Sequence, residues 1–117
     1  MSAKSENYRN LGTTMIKNFN ARGMDAFYCA SRVDALQKVQ ELIPEGSSVT
    51  WGGSVTLSET GILEAVKNGP YRCIDRSAAK TPEEARALYG QIVCADYFLT
   101  STNAFTADGE LVNIDGN

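Results

Sequence analysis

Apolar positions recur along the chain with two periods, one typical of helices and one typical of strands. The first helical pattern covers about residues 7–22 and stops at Gly23. Its apolar face consists of Tyr8, Leu11, Met15 and Phe19. We expect this helix to cover one face of a sheet, and the alternative use of such an aromatic stripe is to line the groove of a partner.

A short apolar run over residues 25–30 predicts the first strand, and a second helix follows it. Ser31 and Asp34 provide the start signal of that helix, and Pro44-Glu45-Gly46 ends it. Its predicted buried face consists of Ala35, Val39, Leu42 and Ile43.

Residues 48–67 are the most informative stretch of the chain. A β-branched and aromatic strand over residues 48–51 leads through Gly52-Gly53 towards a helix, an arrangement that can place backbone N–H groups around an anion. Two glycines after a strand are also common in sharp turns, so both interpretations of this loop stay open. The spacing of Thr56 and Glu59 is that of a capping box and predicts one helix from about Leu57 to the Gly69-Pro70 stop.

The rest of the chain predicts two more strands, one helix and a hairpin. The strands cover residues 71–75 and 96–100, and the helix between them begins at Thr81-Pro82 with early acidic charge from Glu83 and Glu84. Its apolar stripe is Ala85, Leu88, Tyr89 and Ile92. Asp108-Gly109 between two short apolar runs predicts a β-hairpin. The chain ends on Asp115-Gly116-Asn117, which is typical of the start of another turn.

Strands and helices thus alternate, which predicts an α/β fold: an open, mostly parallel sheet with helices on both faces and a hairpin near the C-terminus. Ligands of such sheets bind beyond the carboxyl ends of the strands. The small, polar and cationic residues at those ends make them candidates for binding a phosphate or carboxylate group. The candidates are Gly52, Gly53, Ser54, Arg76, Ser101, Thr102 and Asn103.

Each of these candidates has a structural alternative. Ser54 can instead cap a helix, and Arg76 can pair with Asp75 or Glu84 on the surface. The hydroxyl and amide groups of residues 101–103 can satisfy their own turn.

Composition narrows the class of protein. The 117 residues suit a single domain, and 43% hydrophobic with 21% charged residues is ordinary for a globular protein. The net charge is −3 and no basic stripe occurs, which argues against binding to nucleic-acid phosphates. The chain has no apolar run of membrane-spanning length and its polar start is unlike a signal peptide, so a cytoplasmic protein is expected.

The absence of histidine restricts the chemistry that this chain can perform. Cys29, Cys73 and Cys94 are widely spaced and predicted to be buried reduced thiols, so we expect no metal site. A carboxylate such as Glu59 or Glu110 is a candidate catalytic base or nucleophile, although Glu59 has helix capping as its alternative role.

Three stretches closely resemble the LUD-domain family, in particular its lactate utilisation proteins of the C type. They are residues 49–57, residues 95–104 and residues 108–117. The resemblance implies a fold similar to that of the sugar-phosphate isomerase and CoA-transferase group. It also implies a bacterial, cytoplasmic role in the oxidation of L-lactate to pyruvate, beside partner proteins that carry iron–sulfur clusters.

Family members continue beyond the position that corresponds to Asn117, some with a cysteine-bearing tail. We therefore expect either that this chain is the N-terminal part of such a protein, or that a second chain covers its last strands in a homo-oligomer. Iron–sulfur clusters are expected in partner proteins or in that tail, and none is expected in this chain alone.

Three functions remain open at this point. The first is an accessory subunit that binds a small anion while partners perform the redox chemistry. The second is a group-transfer or isomerase-type enzyme that acts on a phosphorylated or CoA-linked substrate through Glu59 or Glu110. The third is a structural module whose glycines serve only in turns.

Overall fold

The computed structural model describes residues 2–114, which divide into two compact units. Residues 32–101 form one, here called the sheet unit, and residues 2–31 with 102–114 form the other, here called the helix–hairpin unit. The predicted turn at Asp115-Gly116-Asn117 lies outside the described residues.

A three-stranded parallel sheet is the centre of the sheet unit. Its strands are β1 (Ser48–Trp51), β2 (Arg72–Ile74) and β3 (Tyr97–Leu99), in the order β2-β1-β3. Every residue of β1 is buried, as the middle strand of a covered parallel sheet should be. The three strands confirm the predicted parallel sheet, and Val49 of β1 stands opposite Cys73 and Tyr97 in the register.

The core of the sheet unit forms where helices pack on this sheet. Three of them are α2 (Arg32–Leu42), α3 (Val55–Glu59) and α4 (Ile62–Lys67). The buried apolar cluster consists of Ile43, Val49, Trp51, Leu57, Ile62 and Val66, with Leu36 and Val39 of α2 packed against it. Leu42 was predicted to be buried but is 48% exposed, and Leu36 instead packs against the core from α2.

The prediction of one helix from Leu57 to the Gly69-Pro70 stop is wrong. Gly61 has a positive φ of 78°, a left-handed conformation that separates α3 from α4. Ser54, and not Thr56, is the N-cap of α3, because its Oγ accepts a hydrogen bond from the N–H of Leu57 at 3.3 Å. Glu59 is the last residue of α3, so it does not form the predicted capping box with Thr56 at the start of the helix.

The helix predicted from Thr81-Pro82 is confirmed as α5 (Pro82–Val93), which follows a short 3₁₀ turn at Arg76–Ala78. The Oγ1 of Thr81 accepts a hydrogen bond from the N–H of Glu84 at 3.1 Å. The predicted apolar stripe is only partly correct: Leu88 and Ile92 are half-buried, whereas Tyr89 is 68% exposed and Ala85 is also exposed.

The helix–hairpin unit consists of α1 (Ala3–Ala21), capped by Ser2, and the predicted hairpin of β4 (Ala104–Phe105) and β5 (Leu111–Val112). Met15 is buried in α1, but Tyr8 and Leu11 are about half exposed and do not form the predicted buried face. The end of α1 is joined to the hairpin turn, because Asn18 Nδ2 donates to the carbonyl of Ala107 at 2.6 Å.

Residues 25–30 do not form the predicted first strand. A strand needs a hydrogen-bonding neighbour, and this segment instead binds to α1. The N–H of Ala26 donates to Asn20 Oδ1 at 3.2 Å, and the ring of Tyr28 lies so close to Gly12 that a Cβ there would be 2.7 Å from it.

The three cysteines are free thiols, as predicted, but none of them is buried as expected. Cys73 lies on the edge strand β2 and Cys94 follows the exposed helix α5, and both are exposed, whereas Cys29 is half-buried. No helix within residues 2–114 combines the length and the apolar character needed to cross a membrane.

Candidate functional site

A cavity of about 350 Å³ lies at the carboxyl ends of β1 and β2 in the sheet unit. We call it the strand-end cavity. Its lining consists of Trp51, Gly52, Gly53, Lys67, Asp75, Arg76 and Ser77. Both bordering loops follow parallel strands, so they meet at one edge of the sheet, the expected position of a ligand site in a fold of this class.

Two cations and one carboxylate determine the electrostatics of this cavity. Lys67 Nζ lies 5.5 Å from the centre of the Trp51 ring and 4.0 Å from Asp75 Oδ2. Within residues 2–114 the guanidinium of Arg76 has no ion-pair partner, so the predicted pairing with Asp75 or Glu84 is not formed. Arg76 is exposed and borders the cavity with its charge uncompensated.

Asp75 is held in place as a carboxylate. Its Oδ1 accepts hydrogen bonds from the Ser77 hydroxyl at 2.7 Å and from the Ser77 N–H at 2.9 Å. These bonds, hydroxyl first, lower the pKa of Asp75, and the nearby charge of Lys67 also lowers it, although partial burial acts in the opposite direction. Asp75 therefore remains charged at neutral pH.

The two glycines of the loop after β1 have different surroundings. The N–H of Gly52 donates to the carbonyl of Leu99 at 3.0 Å, and a Cβ at this position would touch the Phe98 ring at 3.5 Å. Within the described chain the N–H of Gly53 has no hydrogen-bond acceptor, and the space around its Cα is open. Gly53 is thus the residue of this loop whose backbone is available to a ligand.

Ser54 and Ser101 meet through their hydroxyl groups, whose oxygen atoms are 2.9 Å apart. The loop after β1 therefore lies next to Ser101, which follows the end of β3 in the sheet unit. Because Ser54 also caps α3, its hydroxyl already takes part in two hydrogen bonds.

Thr102 and Asn103 belong to the helix–hairpin unit, where both side chains are hydrogen-bonded. Thr102 Oγ1 donates to the carbonyl groups of Ala104 and Val112, and Asn103 Oδ1 accepts from the N–H of Ile114 at 2.7 Å. Such hydrogen bonds within the turn were expected if these polar residues have a structural role.

The two candidate carboxylates, Glu59 and Glu110, belong to different units. Glu59 ends α3, where its carbonyl accepts a hydrogen bond from Arg32 Nη1 at 3.3 Å. Glu110 lies in the hairpin turn of the other unit, 3.9 Å from Arg22. Within the sheet unit, Glu59 is not among the residues that line the strand-end cavity. A catalytic role for Glu110 stays a prediction.

Four residues of this lining were not among the sequence candidates: Trp51, Lys67, Asp75 and Ser77. Asp75 and Ser77 flank the candidate Arg76 in the sequence. Trp51 is the last residue of β1 and was assigned only to the strand. Lys67 falls on the polar face of its helix, which in a linear sequence is the same signal as that of a solvated surface lysine.

The residues of this chain do not fit an iron–sulfur cluster. Such clusters are usually held by four cysteine thiolates, and the chain contains three cysteines. In the part of the chain that the structure describes, no three Cys, Asp or Glu side chains are grouped closely enough to hold a metal ion.

Comparison with known proteins gives one match. The model of the family described as the LUD domain matches residues 13–117. Neither the curated proteins nor the solved structures include a significant match.

Proposed function

Because the chain belongs to the LUD-domain family, we propose that it serves as an accessory subunit in the oxidation of L-lactate to pyruvate and binds a small anionic ligand in the strand-end cavity. The family is linked to lactate utilisation, and its model matches nearly the whole chain. The role in lactate oxidation and the binding of an anion are the parts that experiments must test.

The unpaired guanidinium of Arg76 is the observation that carries the proposal for anion binding. It borders a cavity of about 350 Å³, which lies within the ordinary range for small-ligand sites. An arginine binds carboxylate and phosphate groups through two parallel hydrogen bonds, and Lys67 and the N–H of Gly53 supply further donors at the same cavity.

The residues of the chain support the assignment of redox chemistry to partners. Oxidation of lactate removes two electrons, and the described residues offer no site for an iron–sulfur cluster that would accept them. In this proposal the protein holds the ligand, and iron–sulfur proteins bound to it carry the electrons.

Ligand binding is tested by titration calorimetry with pyruvate and L-lactate on the intact protein and on Arg76→Gln. We expect wild type to bind and the variant to lose at least about tenfold in affinity, because a charge-assisted pair contributes roughly 1.5–3 kcal/mol. Arg9→Gln, which removes the same charge from exposed α1, is the matched control and should bind like wild type.

Two outcomes contradict the proposal. If wild type binds neither acid, nor phosphate, nor CoA, then the cavity has no role in ligand binding and a structural module is the better description. If the purified protein alone oxidises L-lactate with an artificial electron acceptor, then the accessory role is wrong.

A further inference from the structure

The strand-end cavity holds a fixed negative charge beside its two positive charges, and this combination restricts the charge of any ligand. Lys67, Asp75 and Arg76 are the ionised groups of the lining, so the net charge of the lining is +1. A ligand with one negative charge neutralises this lining, whereas a dianion leaves it negative.

We propose that the cavity selects singly charged carboxylates and discriminates against doubly charged groups such as sulfate or a phosphate ester, with Asp75 as the residue that determines this specificity. This inference deepens the proposed function and rests on it, because it specifies the class of anion that the cavity takes.

The geometry keeps Asp75 in the cavity in its charged form. Both hydrogen bonds from Ser77 converge on Oδ1, so they orient the carboxylate and leave Oδ2 directed to Lys67 at 4.0 Å. At that distance Lys67 is the natural counterion of Asp75, which leaves Arg76 as the one uncompensated cation of the lining.

Some hydrogen-bond donors of the cavity are already bound. The hydroxyl proton of Ser77 is directed to Asp75, and the N–H of Gly52 is bound to Leu99. The guanidinium of Arg76 and the N–H of Gly53 also border the cavity, and a guanidinium binds one carboxylate through two parallel hydrogen bonds. These donors suit a planar carboxylate, and the net charge of the lining provides the discrimination against a dianion.

The test compares pyruvate, a monoanion, with sulfate, which is a dianion at all pH values near neutrality. Titration calorimetry on the intact wild-type protein is expected to show tighter binding of pyruvate than of sulfate. In Asp75→Asn the affinity for sulfate should rise relative to that for pyruvate by about fivefold, because one unit of repulsion at about 4 Å in a water-exposed site is removed.

Asparagine keeps an oxygen that accepts the hydrogen bonds of Ser77, so Asp75→Asn should fold like wild type, and circular dichroism checks this. The matched control is Glu45→Gln, which removes the same charge from an exposed loop of the sheet unit outside the lining. Its ratio of affinities should equal that of wild type. If Asp75→Asn does not fold, Asp75→Ser, which keeps a hydroxyl oxygen, replaces it.

The possible results separate this inference from the proposed function. If wild type binds sulfate as tightly as pyruvate, or if Asp75→Asn leaves the ratio unchanged, then charge selection by Asp75 is wrong although anion binding stands. If wild type binds neither anion, then this inference is wrong. The proposed function fails with it when L-lactate, phosphate and CoA also do not bind.

Discussion

At the scale of single residues, the hairpin turn requires a residue without a Cβ atom at Gly109. Its φ of 95° is left-handed, and a Cβ at this position would lie 2.9 Å from the backbone carbonyl of Asn18. We expect Gly109→Ala to lower the free energy of unfolding by about 1–3 kcal/mol, because both the backbone and the contact with α1 are strained. Urea denaturation followed by circular dichroism measures the loss.

Gly23 is the matched control for this variant. Its φ of 83° is equally left-handed, but nothing lies within 4 Å of an added Cβ. Gly23→Ala should therefore lose less stability than Gly109→Ala, since only the backbone is strained. Equal losses would show that the close contact between the turn and Asn18 does not contribute to the free energy of unfolding.

At the scale of elements, most of the surface of α5 is exposed, and its first turn is held by side-chain hydrogen bonds. The hydroxyl of Thr81 satisfies the N–H of Glu84, and Glu84 Oε2 accepts from the N–H of Lys80 at 2.6 Å. We expect Thr81→Ala to cost about 0.5–2 kcal/mol of stability in urea denaturation. Thr81→Ser, which keeps the hydroxyl, should recover most of the loss, and failure to do so would contradict the capping role.

The elements also show what the sequence could and could not predict. The middle strand and the helix at Thr81-Pro82 carry local signals that agree with each other, and both were predicted correctly. The break at Gly61 was missed because a capping-box spacing at Thr56 and Glu59 and a stop at Gly69-Pro70 are the start and end signals of one helix, and a lone glycine between them is tolerated in a helix. The strand expected at residues 25–30 failed because strand formation depends on a partner that a linear pattern does not identify.

For the whole molecule, the two lowered carboxyl pKa values determine part of the dependence of stability on pH. Ser48 and Asp96 exchange hydrogen bonds of 2.9 and 2.8 Å, joining the start of β1 to the start of β3. The N–H of Ser48, then its hydroxyl, and to a smaller extent Arg72 lower the pKa of Asp96, while desolvation raises it. Asp75 also has a lowered pKa.

A carboxyl group with a lower pKa in the folded state stabilises the protein above its unfolded pKa. This contribution is lost as the pH falls from about 4 through the lowered folded value. The difference in free energy of unfolding between wild type and Asp96→Asn should therefore shrink between pH 7 and pH 3 in urea titrations. Glu45→Gln, whose carboxyl accepts no hydrogen bond from the described residues, should give a smaller change, and a constant difference for Asp96→Asn would contradict the role of Asp96.

The candidate site was predictable in part, because the alternation of strands and helices places the loops after successive strands at one edge of the sheet. That rule correctly grouped Gly52 and Gly53 with Arg76. Thr102 and Asn103 belong to the helix–hairpin unit, where their side chains are hydrogen-bonded within the hairpin, and their role in ligand binding stays a prediction. The rule did not find Lys67, because only the packing of α4 brings that lysine to the end of β1.

Trp51 is the single tryptophan of the chain, and it stands at the end of the middle strand with 9% of its surface exposed. Its indole fluorescence therefore originates from one position that belongs to both the apolar core and the rim of the strand-end cavity. The ammonium of Lys67 lies 5.5 Å from the centre of the ring. We therefore expect the emission wavelength to change when the core unfolds and the emission intensity to change when a charged ligand enters the cavity, so that both events can be followed without an attached label.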